Sequence, residues 1–437
     1  SLLRVTGRRG INGSLLAGWL LSIGQKQAAK EVLEVLDCQE ALPMLWRASL
    51  SDDANKRQRL IAEAERCHVR KVRFPNTLDE VQMLQTLSDS AFARYLLGCF
   101  WYSKRRYEEA VSCWRETLEK SPDYAPAHRL LGVYAWNKQQ DAAQALAYLQ
   151  RAVELEPENA RFLFELDFLK KSLGTPVNER LETLAARKAV VLKRDDLTAE
   201  LLSLWNAAGH YADAAAILGT RVFHPWEGGE GKVTGQYLLN QLHRALQLIE
   251  RKAFTQAARC LNEALRYPDN LGEGRLPGQT DNDIWYLLGY CAEQTGDAHR
   301  AAEYYQLALQ GGSTLDAGRY YNDQPADYLF WQGIALRKSG NPAQAEQHFQ
   351  NFIAWARQHR DDVPQADFFA VSLPDLVVLD VSAQQHQQHC LFIEALGHLG
   401  LGNVSASQQA MQRLLQLNPA HDKAHLIRHA LQSGMFS

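Results

Sequence analysis

Seven cysteines in 437 residues, at Cys38, Cys67, Cys99, Cys113, Cys260, Cys291 and Cys390, contain no CxxC pair and no dense, even framework. That excludes a disulfide scaffold and the common zinc ribbons, and reads as reduced thiols in a cytoplasmic protein. No apolar run approaches the roughly 20 residues that span a bilayer. The best candidate, Leu15 to Ile23, follows basic residues as a signal sequence would, but lacks a small-residue cleavage site, and reads as a first helix. A formal net charge of −3 supplies no basic field for phosphate or an anionic membrane, so neither nucleic acid nor a bilayer is an expected partner. Triad, P-loop, HExxH and Rossmann signatures are all missing, and no cofactor or metal is expected. Hydrophobic residues at 46% and charged residues at 22% are ordinary for an ordered chain, and the length exceeds what one compact core usually fills.

What the chain does have is self-similarity. Leu97 and Gly98 are followed by Trp101, Ala110, Trp114 and Pro122; Leu131 and Gly132 are followed by Ala135, Ala145, Leu149, Ala152 and Pro157. Gly98 and Gly132 stand 34 positions apart, the period of tetratricopeptide repeats. Small residues fit where two antiparallel helices cross closely, large ones fill the surrounding space, and proline ends the second helix. Further copies run from Ala245 to Pro268, from Trp285 to Ala308, from Leu329 to Phe349 and from Leu391 to Pro419. Weaker helical pairs fit Leu15 to Leu36, Leu42 to His68, and Leu201 to Leu218, with Gly209 at the turn. Lys423 to Gln432 reads as a closing helix, with Leu426, Ile427 and Leu431 inward and its polar residues outward. The stretch from Asp375 to Val381 has β-like composition and reads as an inter-repeat loop. The expected fold is all-α, a tetratricopeptide-type α-solenoid with a right-handed superhelix of antiparallel helix pairs. Its segments are 1–90 (degenerate pairs), 91–175 (two clear repeats), 176–236 (an irregular pair with a long loop), 237–360 (three repeats), and 361–437 (a long loop, a last repeat and the closing helix).

Several stretches resemble a group of large bacterial proteins with an N-terminal sugar-mutarotase-like β-sandwich of unknown function and C-terminal tetratricopeptide repeats. They are Tyr95 to Ala110, Arg194 to Thr198, Phe223 to Gly231 (FHPWEGGEG) with Gly235-Gln236-Tyr237, Asn270 to Gly274, and Phe369 to Leu376. The resemblance implies that the chain is the helical C-terminal portion of such a protein, which would also account for a start at Ser1. Any link to carbohydrate rests on the fold of that other domain.

The candidate binding residues cluster around the loop from His224 to Gly231. No repeat turn needs a histidine, a tryptophan and two carboxylates together, and its glycines let the backbone fold tightly. A second loop, Leu271 to Gly274, comes one helical pair later, so Glu227 or Glu230 could face Glu273. Such carboxylates could bind a cation, grip a basic peptide or act on a sugar. Equally, the loops could be connectors, with Trp226 plugging a gap between repeats. His224, Trp226, Glu227, Glu230, Tyr237, Glu273, Asp195 and Asp196 form the candidate set, with Asp196 also suited to capping the helix near Leu197. His386, His389 and Cys390 share a helix face but read as structural rather than as a zinc site. The basic clusters Lys104 to Arg106 and Arg66, Arg70, Lys71 and Arg73 read as solvated. Phe92, Tyr95, Leu96 and Cys99 occupy the inward positions where chaperone-binding repeats carry Lys and Asn; apolar there, they would suit an amphipathic helix or a docked domain. The expected function is a non-enzymatic scaffold whose concave face binds a protein, a peptide or the N-terminal domain of the parent chain. The alternative is part of a carbohydrate site formed with that domain.

Overall fold

The computed structural model describes residues 10–36, 40–70, 73–315, 325–362 and 382–436. Among them the chain forms twenty-three α-helices and no strand. Cys38, Lys71, and the stretches Phe369 to Leu376 and Asp375 to Val381 lie outside the described residues. Two compact units result, 1–157 and 158–437.

The first unit contains α1 (Gly10–Ser22), α2 (Lys26–Val35), α3 (Ala41–Ser49), α4 (Ala54–Arg70), α5 (Leu78–Thr86), α6 (Ala91–Ser103), α7 (Tyr107–Lys120), α8 (Ala125–Tyr134) and α9 (Ala142–Leu155). Consecutive helices pair as α1 with α2, α3 with α4, α6 with α7 and α8 with α9. The repeat signal has a direct physical meaning here. A Cβ built on Gly98 would lie 2.4 Å from Trp114 Nε1, and one on Gly132 would lie 2.8 Å from Leu149 Cγ. Each glycine of a leading helix therefore makes room for the large residue of the helix that follows. Trp114 fills that room completely, and its indole N–H donates to the Tyr95 carbonyl at 3.3 Å. Helix α7 ends at Lys120, just before Pro122, and α9 ends at Leu155, just before Pro157. Ser90 and Asp141 open α6 and α9 by accepting the backbone N–H three residues on.

Phe92, Tyr95, Leu96 and Cys99 are all buried, which corrects the expectation that they line a partner-facing groove. His68, at the end of α4, packs edge-on against Phe92 and Tyr95, and Tyr124 packs on Tyr95 from the other side.

The second unit contains α10 (Ala160–Ser172), α11 (Val177–Ala186), the single turn α12 (Lys188–Val191), α13 (Asp195–Ala208), α14 (Tyr211–Leu218), α15 (Lys232–Glu250), α16 (Phe254–Ala264), α17 (Asn282–Gln294), α18 (Ala298–Leu307), α19 (Ala326–Lys338), α20 (Pro342–Gln358), α21 (Ser382–Gly400), α22 (Val404–Leu417) and α23 (Asp422–Gln432). The close-approach rule recurs, with Gly289 against Tyr305 and Gly333 against Phe349. Gly209 turns α13 into α14 at φ +84°, a conformation that favours glycine.

The last helix departs from the expected closing helix. Leu426 and Ile427 are buried as expected and Arg428 and Gln432 are exposed, but Asp422, Lys423 and His429 turn inward as α23 packs against α13 and α15, roughly two hundred residues earlier. Its Asp422 carboxylate accepts from Ser203 Oγ at 2.7 Å and from Gln236 Nε2 at 2.6 Å. The adjacent Lys423 reaches Asp327 on α19 at 2.9 Å and lies over the Tyr328 ring. One turn of α23 thus ties together leading helices from both ends of the unit. Gln384 on α21 adds a further closure by donating to the Ser172 carbonyl.

Candidate functional site

The loop from His224 to Gly231 is held by its neighbours rather than by itself. Asp195, in the first turn of α13, accepts from Arg221 Nε and Nη2 at 3.1 and 2.6 Å, and from the His224 backbone N–H at 3.0 Å. Asp196 accepts from the Arg194 guanidinium through both oxygens and from the Leu197 N–H. It stands within the first turn, since α13 begins at Asp195. The two glycine-glutamate loops do lie side by side. Phe223 N–H donates to the Asn270 carbonyl at 2.7 Å, and Asn270 Nδ2 donates to the carbonyls of Leu218 and Arg221. Gly272, at φ +81°, brings its backbone so close that a Cβ would sit 2.6 Å from the Phe223 oxygen.

Glu273 serves as a cap supplied from the next repeat. Its two oxygens accept the Gly231 N–H at 3.3 and 3.0 Å, at the start of α15, where the exposed helix N–H groups favour a negative charge. Tyr237 is buried, and its hydroxyl donates to the carbonyls of Glu263 and Arg266. Asp195 and Glu273 therefore frame the loop, whereas Asp196 and Tyr237 form their hydrogen bonds outside it. His224, Glu227 and Glu230 are exposed. Trp226 is half-buried and lies flat against Gly229 of its own loop, where a Cβ would be 2.0 Å from the indole.

The loop ends at the rim of a cleft of about 460 Å³ that belongs to the second unit alone. Gly231, Lys232, Gly235 and Gln236 form one wall, Lys171, Glu200 and Ser203 a second, and Gln384, Gln385, Gln388 and Asn418 a third, with Asp422 and Lys423 also lining it. Sequence reading missed most of these residues. Beneath the second wall lies a charged network. Arg180, 1% exposed, makes a two-point contact with Asp167 at 3.0 and 2.7 Å and a third bond to Glu200 at 2.9 Å. Lys171 Nζ completes it at 2.8 Å from Glu200. Burial works to raise the Glu200 carboxyl, but Lys171 and Arg180 outweigh it and hold the group down at about 2. Across the unit, burial raises the Asp283 carboxyl to about 6, with Lys423 opposing and Asp327 reinforcing the rise.

A sequence signal for this polar interior exists in hindsight. Gln236, Asn240 and His243 recur at helical spacing on α15 and are all buried, and Ser203 and Asn206 do the same on α13. Asn240 Nδ2 donates to Asn206 Oδ1, and Asn206 Nδ2 to Gln236 Oε1. In the His386 to Cys390 segment, read from the sequence as structural, Cys390 is buried and His386 Nε2 lies 2.6 Å from the His359 carbonyl. The basic turn behaves as a solvated surface, with Arg106 paired to Glu109 and Lys104 over the Phe100 ring. Arg73 pairs with Glu80 and Glu40. No helix among the described residues is long and apolar enough to cross a membrane.

Comparison with solved structures returns distant matches. The chain is 12% identical to a chain of the Naa15/Naa10 complex bound to HypK-THB over 90% of its length, spanning 62% of that chain, at a TM-score of 0.37. It is 14% identical to human IFIT1, solved as a dimer with PPP-AAAA, over 94% of this chain and 90% of that one, with a TM-score of 0.27. The P58(IPK) TPR domain gives 13% identity, 94% and 91% coverage and a TM-score of 0.28. Family models are more specific about the repeats. Two tetratricopeptide-repeat models match, one over residues 101–160 and 244–319 and the other over 327–354. With the small-to-large contacts inside each helix pair, these matches establish that the chain carries tetratricopeptide repeats.

Proposed function

We propose that the chain is a non-enzymatic scaffold that binds an extended segment of a protein partner in the cleft of its second unit, with the Trp226 loop as the rim. The cleft's lining carries the proposal. Its amide side chains can donate and accept hydrogen bonds, as a peptide backbone requires; Gln236, Gln384 and Asn418 spend part of that capacity on Asp422, the Ser172 carbonyl and Gln388, and Gln385 stands beside them in the same wall. Its carboxylates favour binding over catalysis. Glu200 is held ionised by two cations, and although burial raises the Asp422 carboxyl, both its oxygens are engaged by Ser203 and Gln236. The exposed His224, Glu227 and Glu230 add a polar margin where side chains of the partner would be read.

The mutarotase-like domain implied by the sequence resemblance is one such partner, and a separate protein is the other. The carbohydrate reading gains no support from the loop. Glu273 is committed to the Gly231 N–H and Tyr237 to two carbonyls, while Trp226 covers its own loop instead of presenting a free platform. Panning a random peptide library on the intact chain, followed by calorimetry with the enriched synthetic peptides, tests the proposal. Binding that Gln385→Arg and Gln388→Arg abolish, with helical circular dichroism unchanged, supports it. Peptides that bind these variants as well as the wild type, or a library that yields none, would overturn it.

A further inference from the structure

The end of the chain carries a histidine at every fourth position: His421, His425 and His429. His421 is the N-cap of α23 and the other two follow along the same face of that helix. A fourth histidine, His243, meets this row from α15 and is 1% exposed. Its Nδ1 lies 2.9 Å from His429 Nδ1, and the two rings stack with centroids 5.2 Å apart. Tyr211 of α14 stacks on both rings. At that separation one nitrogen must donate and the other accept, so the pair accommodates one shared proton. A second proton would set two N–H donors and two positive charges against each other.

We propose that this histidine seam makes α23 an acid-released latch: when His243 and His429 are both protonated, α23 leaves α14 and α15 and uncovers the inner face of the second unit. The inference goes beyond the peptide-binding reading and does not depend on it. The charges around the seam fix the order of events. Glu250 of α15 lies 3.3 Å from His429 Nε2 and favours the first proton there. His243 instead faces His429, His425 and Lys423, so the second proton meets only positive neighbours once those groups are charged. On α23, Arg428 Nη2 contacts His425 Nδ1 at 2.9 Å, and His425 Nε2 lies 2.7 Å from the Pro419 carbonyl. His421 is flanked by His425, Asp327 of α19 and His389 of α21.

Burial pushes all four imidazoles down from their ordinary value, His243 to about 3 and His421 to about 4. The released helix therefore binds more protons than the latched one. Closure is at full strength above pH 6.5 and weakens as pH falls below it toward 3. His243 alone lowers the closed-to-open ratio about tenfold for each pH unit below about 6.5.

Hydrogen–deuterium exchange of the whole chain, corrected for intrinsic exchange rates, reads this directly. Between pH 7.5 and 5.5 the amides of α23 should lose protection about tenfold while those of α17 and α18 keep theirs. In His243→Gln/His429→Gln, which holds the amide shape and cannot take up protons at those two positions, that loss should shrink to what His421 and His425 still contribute. Asp283, Asp327 and Lys423 are unchanged in the variant, so their titration cannot explain a difference. Constant protection of α23 in the wild type, a loss shared by α17 and α18, or an undiminished loss in the double variant would each overturn the latch.

Discussion

The seam inside a repeat and the seam around α23 are built with opposite chemistry. Between α17 and α18, Gly289 opens the space that Tyr305 fills, and the contact is one of shape and apolar area. Around α23, Asp422, Lys423 and His429 meet Ser203, Gln236, Asp327 and His243, so charge and hydrogen bonds are added to the apolar contact of Leu426 and Ile427. Stacking by apolar fit responds weakly to pH, because nothing in it titrates near neutrality. Closure by polar pairing can be strengthened or released by a proton. The chain uses the first where repeats must stay together and the second where its last helix meets α13 and α15.

The comparison can be broken hardest at Arg180, because that side chain compensates buried Asp167 and shares Glu200 with Lys171. Arg180→Met should destabilise the second unit by about 3–5 kcal/mol, seen as a lower urea midpoint for its unfolding. The apolar seam should give way next. Gly98→Ala drives a methyl into Trp114 and should cost about 1–3 kcal/mol, and combining it with Trp114→Leu should recover part of the loss. Recovery would show that shape is what the glycine serves. Glu200 separates the two seams by pH. Its carboxyl is depressed relative to the ordinary 4.5, so its stabilisation is present above that pH and is lost as pH falls from 4.5 toward 2. In Glu200→Gln the acid side of the stability profile should be flatter than in the wild type. The smallest effect belongs to the rim. Trp226→Ala should change stability by about 0.5 kcal/mol or less, while weakening any peptide captured in the cleft by a measurable change in calorimetric affinity.

The repeats were legible in the sequence because their determinants are local. Gly98 and Trp114, or Gly289 and Tyr305, stand 16 residues apart and recur with the period of the fold, so spacing alone reveals the helix pairs. The closure was not legible. Asp422 finds Gln236 across 186 residues and Ser203 across 219, and no periodicity connects them. A polar residue such as Lys423 reads as solvent-facing on any helical wheel until the acceptor that buries it is known. The loop lies between these cases. The adjacency of the FHPWEGGEG and NLGEG segments followed from the repeat, whereas the use of Glu273 as a cap for α15 depended on a backbone N–H that sequence cannot place. Phe92 and Tyr95 failed for a related reason, since the position of His68 decides whether their face is open or filled.

A double-mutant cycle between Asp422 and Gln236 tests most directly whether polar pairing closes the second unit. Asp422→Ala, Gln236→Ala and the double variant would be unfolded in urea, with the transition of the second unit followed in each. Coupling of about 1 kcal/mol or more is expected, with the double variant losing less than the sum of the two singles. Additivity within about 0.3 kcal/mol would contradict it, and would mean that α23 is held by its apolar residues alone.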